Sequence, residues 1–223
     1  MDNVQDKTVM ITGGAGGLGS EFIKIVLENS AKKVAVVDLP TSQVRAKIAE
    51  FESKYVKEYE ETFKKIVDAF GYFDILVNNA GKLNDNKLEQ MIDLNTTLLI
   101  RSSLLAIEYM GKHKGGKGGL IINIASVAGL SASYIVPICS ATKHAVVGLS
   151  QTVAYCYHNT GVRIVTLCPG FTATSIVISS LDNVVLDFVK PKISEKYAPF
   201  GPAQAKDNVS RALLHLTCLC IYI

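Results

Sequence analysis

Short apolar runs alternate with longer amphipathic stretches along the chain. The runs Val9 to Ile11, Val34 to Val37, Ile75 to Val77, Leu120 to Ile124 and Ile164 to Leu167 are rich in β-branched residues and bounded by Gly, Asp, Asn or Pro, which predicts strands. Between them Glu21 to Glu28, Thr41 to Phe70, Leu88 to His113, Ser140 to His158 and Ala205 to Leu214 carry apolar residues at roughly helical spacing. Such alternation marks βαβ units. It predicts an α/β fold with a doubly wound parallel sheet, in a single domain over residues 1–223. The cluster Gly115 to Gly119 falls between a helix and a strand and reads as a tight turn.

Composition narrows the classes of function. The 223 residues suffice for one sizeable core, and 48% are hydrophobic. Charged residues make up 19%, and the net charge of +3 is spread along the chain without a basic stripe, so no nucleic-acid partner is expected. Asp2 and Asp6 precede Gly13 with no long apolar segment and cleavage site, so no secretory signal is expected. The most apolar stretch, Ala212 to Ile223, is interrupted by His215 and is too short to span a bilayer, so no membrane partner is expected. Five cysteines, Cys139, Cys156, Cys168, Cys218 and Cys220, form no metal-ligand spacing and suit reduced thiols in a cytoplasmic protein. Cys218 and Cys220 read as two alternating strand positions. His113, His144, His158 and His215 share no ligand-spaced partner, so no metal is expected.

The first chemical motif is Thr12-Gly13-Gly14-Ala15-Gly16-Gly17-Leu18-Gly19, after the first strand and opening the first helix. Glycine there lets the backbone turn tightly and approach a diphosphate, whose charge is favoured by the N–H groups and dipole of a helix N-terminus. The second strand ends at Asp38, nineteen residues beyond Gly19, near the spacing of a ribose-binding carboxylate. A carboxylate accepts from ribose hydroxyls and repels an added phosphate, which favours NAD over NADP. This is the sequence pattern of a Rossmann domain. A glycine-rich turn followed by a strand-capping Asp is the plainer alternative.

With Asn78-Asn79-Ala80-Gly81 after the Ile75 run, and Asn95, Ser126, Lys143 and Pro169-Gly170 following in order, the chain resembles the short-chain dehydrogenase/reductase family over most of its length. The wording Phe73 to Gly81 and Cys168 to Phe171 is most similar to the hydroxyprostaglandin and insect alcohol dehydrogenase branches. The resemblance implies NAD bound by Gly13, Gly17, Leu18, Gly19, Asp38, Leu39, Asn79, Gly81 and Lys143, with Thr172 and Thr174 holding the carboxamide. A plain turn would also account for Pro169-Gly170. It implies a small-molecule alcohol or ketone substrate, a lid over residues 175–205, and a homodimer through helices containing Leu98 to Met110 and Ala145 to Tyr157. Those apolar positions could equally pack on the sheet.

The family's reaction removes a hydroxyl proton while hydride leaves the same carbon. It uses a Tyr as acid/base, a Lys four residues later on the same helix face, a Ser on the substrate oxygen and an Asn supporting a relay water. Lys143, Ser126 and Asn95 match three of these, but the Tyr position holds Cys139. A thiol is shorter than a phenol by one ring. Its ordinary pKa of about 8.5 can be brought down by Lys143, so acidity alone does not bar proton exchange and the harder obstacle is reach. Tyr134 and Tyr155 lack the four-residue relation to Lys143. The resemblance therefore leaves two readings, a weak dehydrogenase and a nucleotide-binding pseudoenzyme.

Two departures concern the fold. The family threads a third strand between Asp38 and Asn78, but Thr41 to Phe70 has no Gly, no Pro and no clear β-run, so the strand is expected to be missing, with Lys54-Tyr55-Val56 at best a remnant. That strand lies at the sheet edge in the order 3-2-1-4-5-6, so central pairing can survive its loss. A continuous thirty-residue helix would be about 45 Å long, which predicts a kink or protrusion. The seventh strand is expected to be short or absent, because the chain stops at Ile223.

Overall fold

A computed structural model describes residues 4–38, 54–174 and 203–218 of the chain. Strands form at each predicted run: β1 (Thr8–Thr12), β2 (Lys33–Val37), β3 (Ile75–Asn78), β4 (Gly119–Ile124) and β5 (Val162–Leu167). All pair in parallel, in the order β2-β1-β3-β4-β5. The reversal from β2-β1 to β3-β4-β5 is the doubly wound arrangement, and it places a crevice beyond the carboxyl ends of β1 and β3.

The central strands β1, β3 and β4 are apolar at successive positions because both sheet faces are covered there. Val9, Ile11, Ile75, Val77, Leu120 and Ile122 point to one face. There they meet Phe22, Ile25 and Val26 of α1 (Gly17–Glu28) and Val209 and Leu213 of α7 (Lys206–Cys218). Met10, Leu76 and Ile121 point the other way, onto Phe63 of α2 (Lys54–Phe70) and Ala106, Ile107 and Met110 of α4 (Leu98–Met110). On that side α5 (Pro137–Ala154) adds Val146 against Leu99 and Ala125.

Several boundaries differ from the periodicity. Leu88 to His113 is not one helix: α3 (Leu88–Ile92) passes into a π-helical turn, Asp93–Thr97, before α4, and a separate 3-10 turn covers Lys112–Lys114. A π turn admits one extra residue, which re-aims the side chains around Asn95 without ending the hydrophobic pattern. The Ser140 to His158 stretch also divides, into α5 and the short α6 (Tyr157–Thr160). Lys54-Tyr55-Val56 opens α2 and is helical, which corrects its reading as a strand remnant; its neighbours through Phe70 share one amphipathic helix. Cys218 closes α7, so it is a helical residue and not a strand position. The glycine turn before β4 takes the expected form, with Gly115 and Gly118 at φ +85° and +87°.

Among the described residues β2 is a sheet edge. Thr41 to Ser53, Leu39, Cys220, the residues 219–223 on which the expectation of a short or absent seventh strand rests, and residues 175–202 of the lid segment 175–205 lie outside the described residues.

A buried polar ladder ties the helices carrying the candidate site to the sheet. Asn78 accepts from Ser102 Oγ at 2.6 Å and donates to Ser103 Oγ and Asn123 Oδ1 at 3.0 and 2.8 Å. Asn123 in turn donates to Ser150 Oγ of α5 at 2.9 Å. Each group is paired, so the ladder fixes register at modest net cost.

Candidate active site

The loop from β1 into α1 is shaped by close backbone approach. Gly13 has φ +66°, and a Cβ there would stand 2.8 Å from Ala80 Cα. A Cβ on Gly19 would stand 2.1 Å from the Gly13 carbonyl oxygen and 2.7 Å from Gly14 Cα. These neighbours are backbone, so neither position admits a side chain without opening the turn. Gly16 supplies no side-chain cap, and the first turn of α1 holds no acidic residue. The helix therefore presents its N-terminal dipole and the main-chain N–H groups of Gly17 and Leu18 to an anion. A compact turn and an unblocked helix start suit the diphosphate of a dinucleotide.

The loop after β3 forms a second wall. Asn79 donates its side-chain amide to the carbonyls of Thr12 and Gly13 at 3.0 and 2.9 Å. The Asn79 and Ala80 N–H groups donate to Thr12 Oγ1 at 3.1 and 3.0 Å. Asp38 lies at the end of β2, and its Oδ2 accepts from Ala15 N at 2.7 Å, so the carboxylate stands over the glycine turn. Thr174 is buried against Gly17, where a Cβ would meet its own Cβ at 3.4 Å. Thr172 donates to the Gly170 carbonyl at 2.9 Å and accepts from Gln204 at 3.3 Å. Leu39 cannot be placed, since it is outside the described residues.

Gly81, Asn95 and Lys143 converge at the other end of the crevice. A Cβ on Gly81 would lie 3.4 Å from Asn95 Oδ1 and 3.8 Å from Lys143 Nζ. Asn95 is buried in the π turn, accepting from Lys82 N at 2.8 Å and donating to Lys82 O and Thr142 Oγ1 at 2.9 and 3.3 Å. Lys143 Nζ donates to the carbonyl of Ile124, at the end of β4, at 2.8 Å. Ser126 follows two residues later, accepting from Ala128 N at 3.2 Å and donating to Pro169 O at 3.4 Å. Ser140 of α5 donates to Ala128 O at 2.7 Å, which locks the Ser126 turn to the helix bearing Lys143.

Cys139 stands one helical turn before Lys143 on α5. Burial pushes its thiol up to about 11; Lys143 pulls the other way, and Asp85 adds to the rise. The lowering of the thiol's pKa anticipated from Lys143 is thereby corrected, because desolvating a thiolate outweighs the neighbouring ammonium, itself held below its usual range by burial. Tyr134 and Tyr155 are 52% and 83% exposed, so neither replaces a phenol in the crevice.

Sequence reasoning missed Asp85. Its buried carboxylate accepts from the N–H groups of Ile138 and Cys139 at 2.9 and 3.2 Å and so caps α5. Burial holds that carboxyl above the usual carboxylate range, against the pull of the two N–H groups. A cap recruited from more than fifty residues away leaves no local spacing signal. Thr12 was part of the quoted motif, but its hydroxyl's service to the β3 loop emerges only in three dimensions. Among the described residues no three His, Cys, Asp or Glu side chains gather to hold a metal ion. No described helix is long and apolar enough to cross a membrane.

Comparison with known proteins agrees with this geometry. The model of a family described as short chain dehydrogenase matches residues 7–184. The 15-hydroxyprostaglandin dehydrogenase [NAD(+)] of Rattus norvegicus is 39% identical over 194 residues, covering 79% of this chain and 72% of that protein. Alcohol dehydrogenase 1 of Ceratitis cosyra is 32% identical over 208 residues, covering 87% of this chain and 80% of that protein. Both branches suggested by the wording of the β3 and Cys168 segments are thus represented. Among solved structures, a variant of ElxO with NADPH bound superposes with a TM-score of 0.74 at 26% identity, covering 96% of this chain and 92% of that one. Levodione reductase shares the fold, with a TM-score of 0.76 at 23% identity over 96% of this chain and 91% of that one.

Proposed function

The chain belongs to the short-chain dehydrogenase family, and we propose that it is an NAD-binding member whose oxidation of secondary alcohols is slowed by Cys139. The observation that carries this reading is the glycine turn, where positions 13 and 19 exclude a Cβ beside an uncapped helix start. The Gly17 and Leu18 amides hold the diphosphate, and Asp38 accepts from the ribose while repelling an added phosphate. The NAD in the name of the rat relative supports that preference. Asn79 and Gly81 line the cofactor, Lys143 holds the nicotinamide ribose, and Thr172 and Thr174 hold the carboxamide.

When bound, the nicotinamide supplies the hydride acceptor. Ser126 orients the substrate oxygen, and Asn95 steadies a relay water. The proton has no efficient acceptor. With the thiol at about 11, Cys139 is ionised in roughly one molecule in ten thousand at pH 7, and it is one ring shorter than a phenol. Loss of an acid/base group typically removes a factor of about 10² to 10⁴. The substrate class is a greasy secondary alcohol such as a hydroxylated lipid, consistent with the rat relative's name and with Ile176, Val177 and Phe188 in the segment proposed as a lid. A cytoplasmic homodimer through α4 and α5 completes the reading.

The raised thiol also favours a second reading, a pseudoenzyme that keeps the nucleotide site for ligand binding. Reduction of NAD with a panel of secondary alcohols, wild type beside Cys139→Tyr, separates the two. A slow wild type and a variant faster by about 10² to 10⁴ fit the leading reading. No wild-type turnover above background fits the pseudoenzyme. Equal rates for both proteins overturn the role given to Cys139.

A further inference from the structure

Lys206 is the first residue of α7, and its position relative to the glycine turn is set by packing. Val209 and Leu213 of α7 share one core cluster with Phe22, Ile25 and Val26 of α1, which fixes the two helices against each other. The Lys206 stem consequently runs along the edge of the turn: a Cβ on Gly17 would lie 3.9 Å from Lys206 Cδ. Its ammonium stands 3.5 Å from Glu21 Oε1, with side chains 37% and 26% exposed. Glu21 lies one helical turn beyond Gly17, on the helix that would receive the diphosphate. Asp207, the next acid on α7, is engaged by Arg211 at 2.9 Å.

An acidic side chain one turn into a phosphate-binding helix opposes the anion that the helix start attracts. A partly exposed ion pair at this separation contributes little, so the ammonium can be shared with a second anion at small cost. We infer that Lys206 is an affinity-determining cation of the nucleotide site, serving the diphosphate while it offsets Glu21. This inference rests on the proposed binding of NAD at the glycine turn. It adds a residue for which the sequence offered no motif, since Lys206 lies 187 positions beyond Gly19.

The test is equilibrium titration of the full chain with NAD, followed by calorimetry, for wild type, Lys206→Gln, Lys206→Arg and Glu21→Gln. The expected result is affinity about tenfold weaker in Lys206→Gln, near wild type in Lys206→Arg and about threefold tighter in Glu21→Gln. Raising the ionic strength from about 0.05 M to about 0.5 M should shrink these differences. Wild type without NAD uptake overturns the proposed cofactor and this inference together. Wild type that binds, with Lys206→Gln binding equally well, overturns the inference alone. Should Lys206→Gln fail to fold, Glu21→Gln decides: tighter binding supports the role of Lys206, and unchanged or weaker binding overturns it.

Discussion

The two ends of the crevice are built from different materials. At the β1–α1 end the geometry comes from main chain: Gly13 and Gly19 permit the turn, and Asn79 and Thr12 lace it to the neighbouring loop. At the β4–α5 end the proposed chemistry depends on single side chains, Asn95, Ser126, Lys143 and the residue at 139. On the proposed reading, Cys139 in place of a phenol leaves the first end untouched and deprives the second of its proton acceptor. That reading makes nucleotide binding and proton transfer separable in this fold, one kept while the other is weakened.

The sharpest way to break the contrast is to damage the main-chain end. Gly19→Val places its Cβ against the Gly13 carbonyl and Gly14 Cα, which cannot swing aside as a flexible side chain would. The expected cost is about 3 kcal/mol in overpacking, or on the order of a hundredfold in NAD affinity if the turn opens, read by calorimetry with a thermal melt as control. Wild-type affinity in this variant would mean that the turn does not seat the nucleotide.

A second test concerns the thiol. Because its folded value lies near 11, above that of an unfolded cysteine, Cys139 contributes stability that is fully present below about pH 8.5 and is lost as pH rises toward 11. Denaturant unfolding of wild type and Cys139→Ala across that range should show their stability difference shrinking by up to about 2 kcal/mol, reduced by residual solvent access. A difference independent of pH would show that the thiol is not buried in its protonated form.

The smallest expected effect is at the cap of α5. Asp85→Ala strips the acceptor from two N–H groups, at a cost of about 1 kcal/mol that is partly offset by removing a buried carboxylate. Urea midpoints report it. An unchanged midpoint together with an unchanged rate of Cys139 alkylation would remove Asp85 from the account.

How far the site was legible in the sequence follows the same division. β-branched runs bounded by Gly, Asp, Asn or Pro identified β1 to β5, and most plainly β1, β3 and β4, which are buried on both faces and so need apolar residues at successive positions. The glycine turn could be read from its own residues, since local backbone demands leave a pattern, whereas Asn95, Ser126 and Lys143 were named only through resemblance to the family's signatures. The π turn at Asp93–Thr97 could not, as it keeps a helical hydrophobic pattern while adding one residue. The pull of Lys143 on the Cys139 thiol is legible from their spacing, whereas the burial that outweighs it is a property of the assembled core. Asp85 and Lys206 reach their places through contacts across the chain, which no window of residues contains.

The separation of the two ends is tested most directly by titrating NAD into wild type and Cys139→Tyr side by side and comparing dissociation constants. If the glycine turn carries binding, the two agree within about threefold, less than 1 kcal/mol. Uptake seen only in the Tyr variant, or in neither protein, would contradict the account.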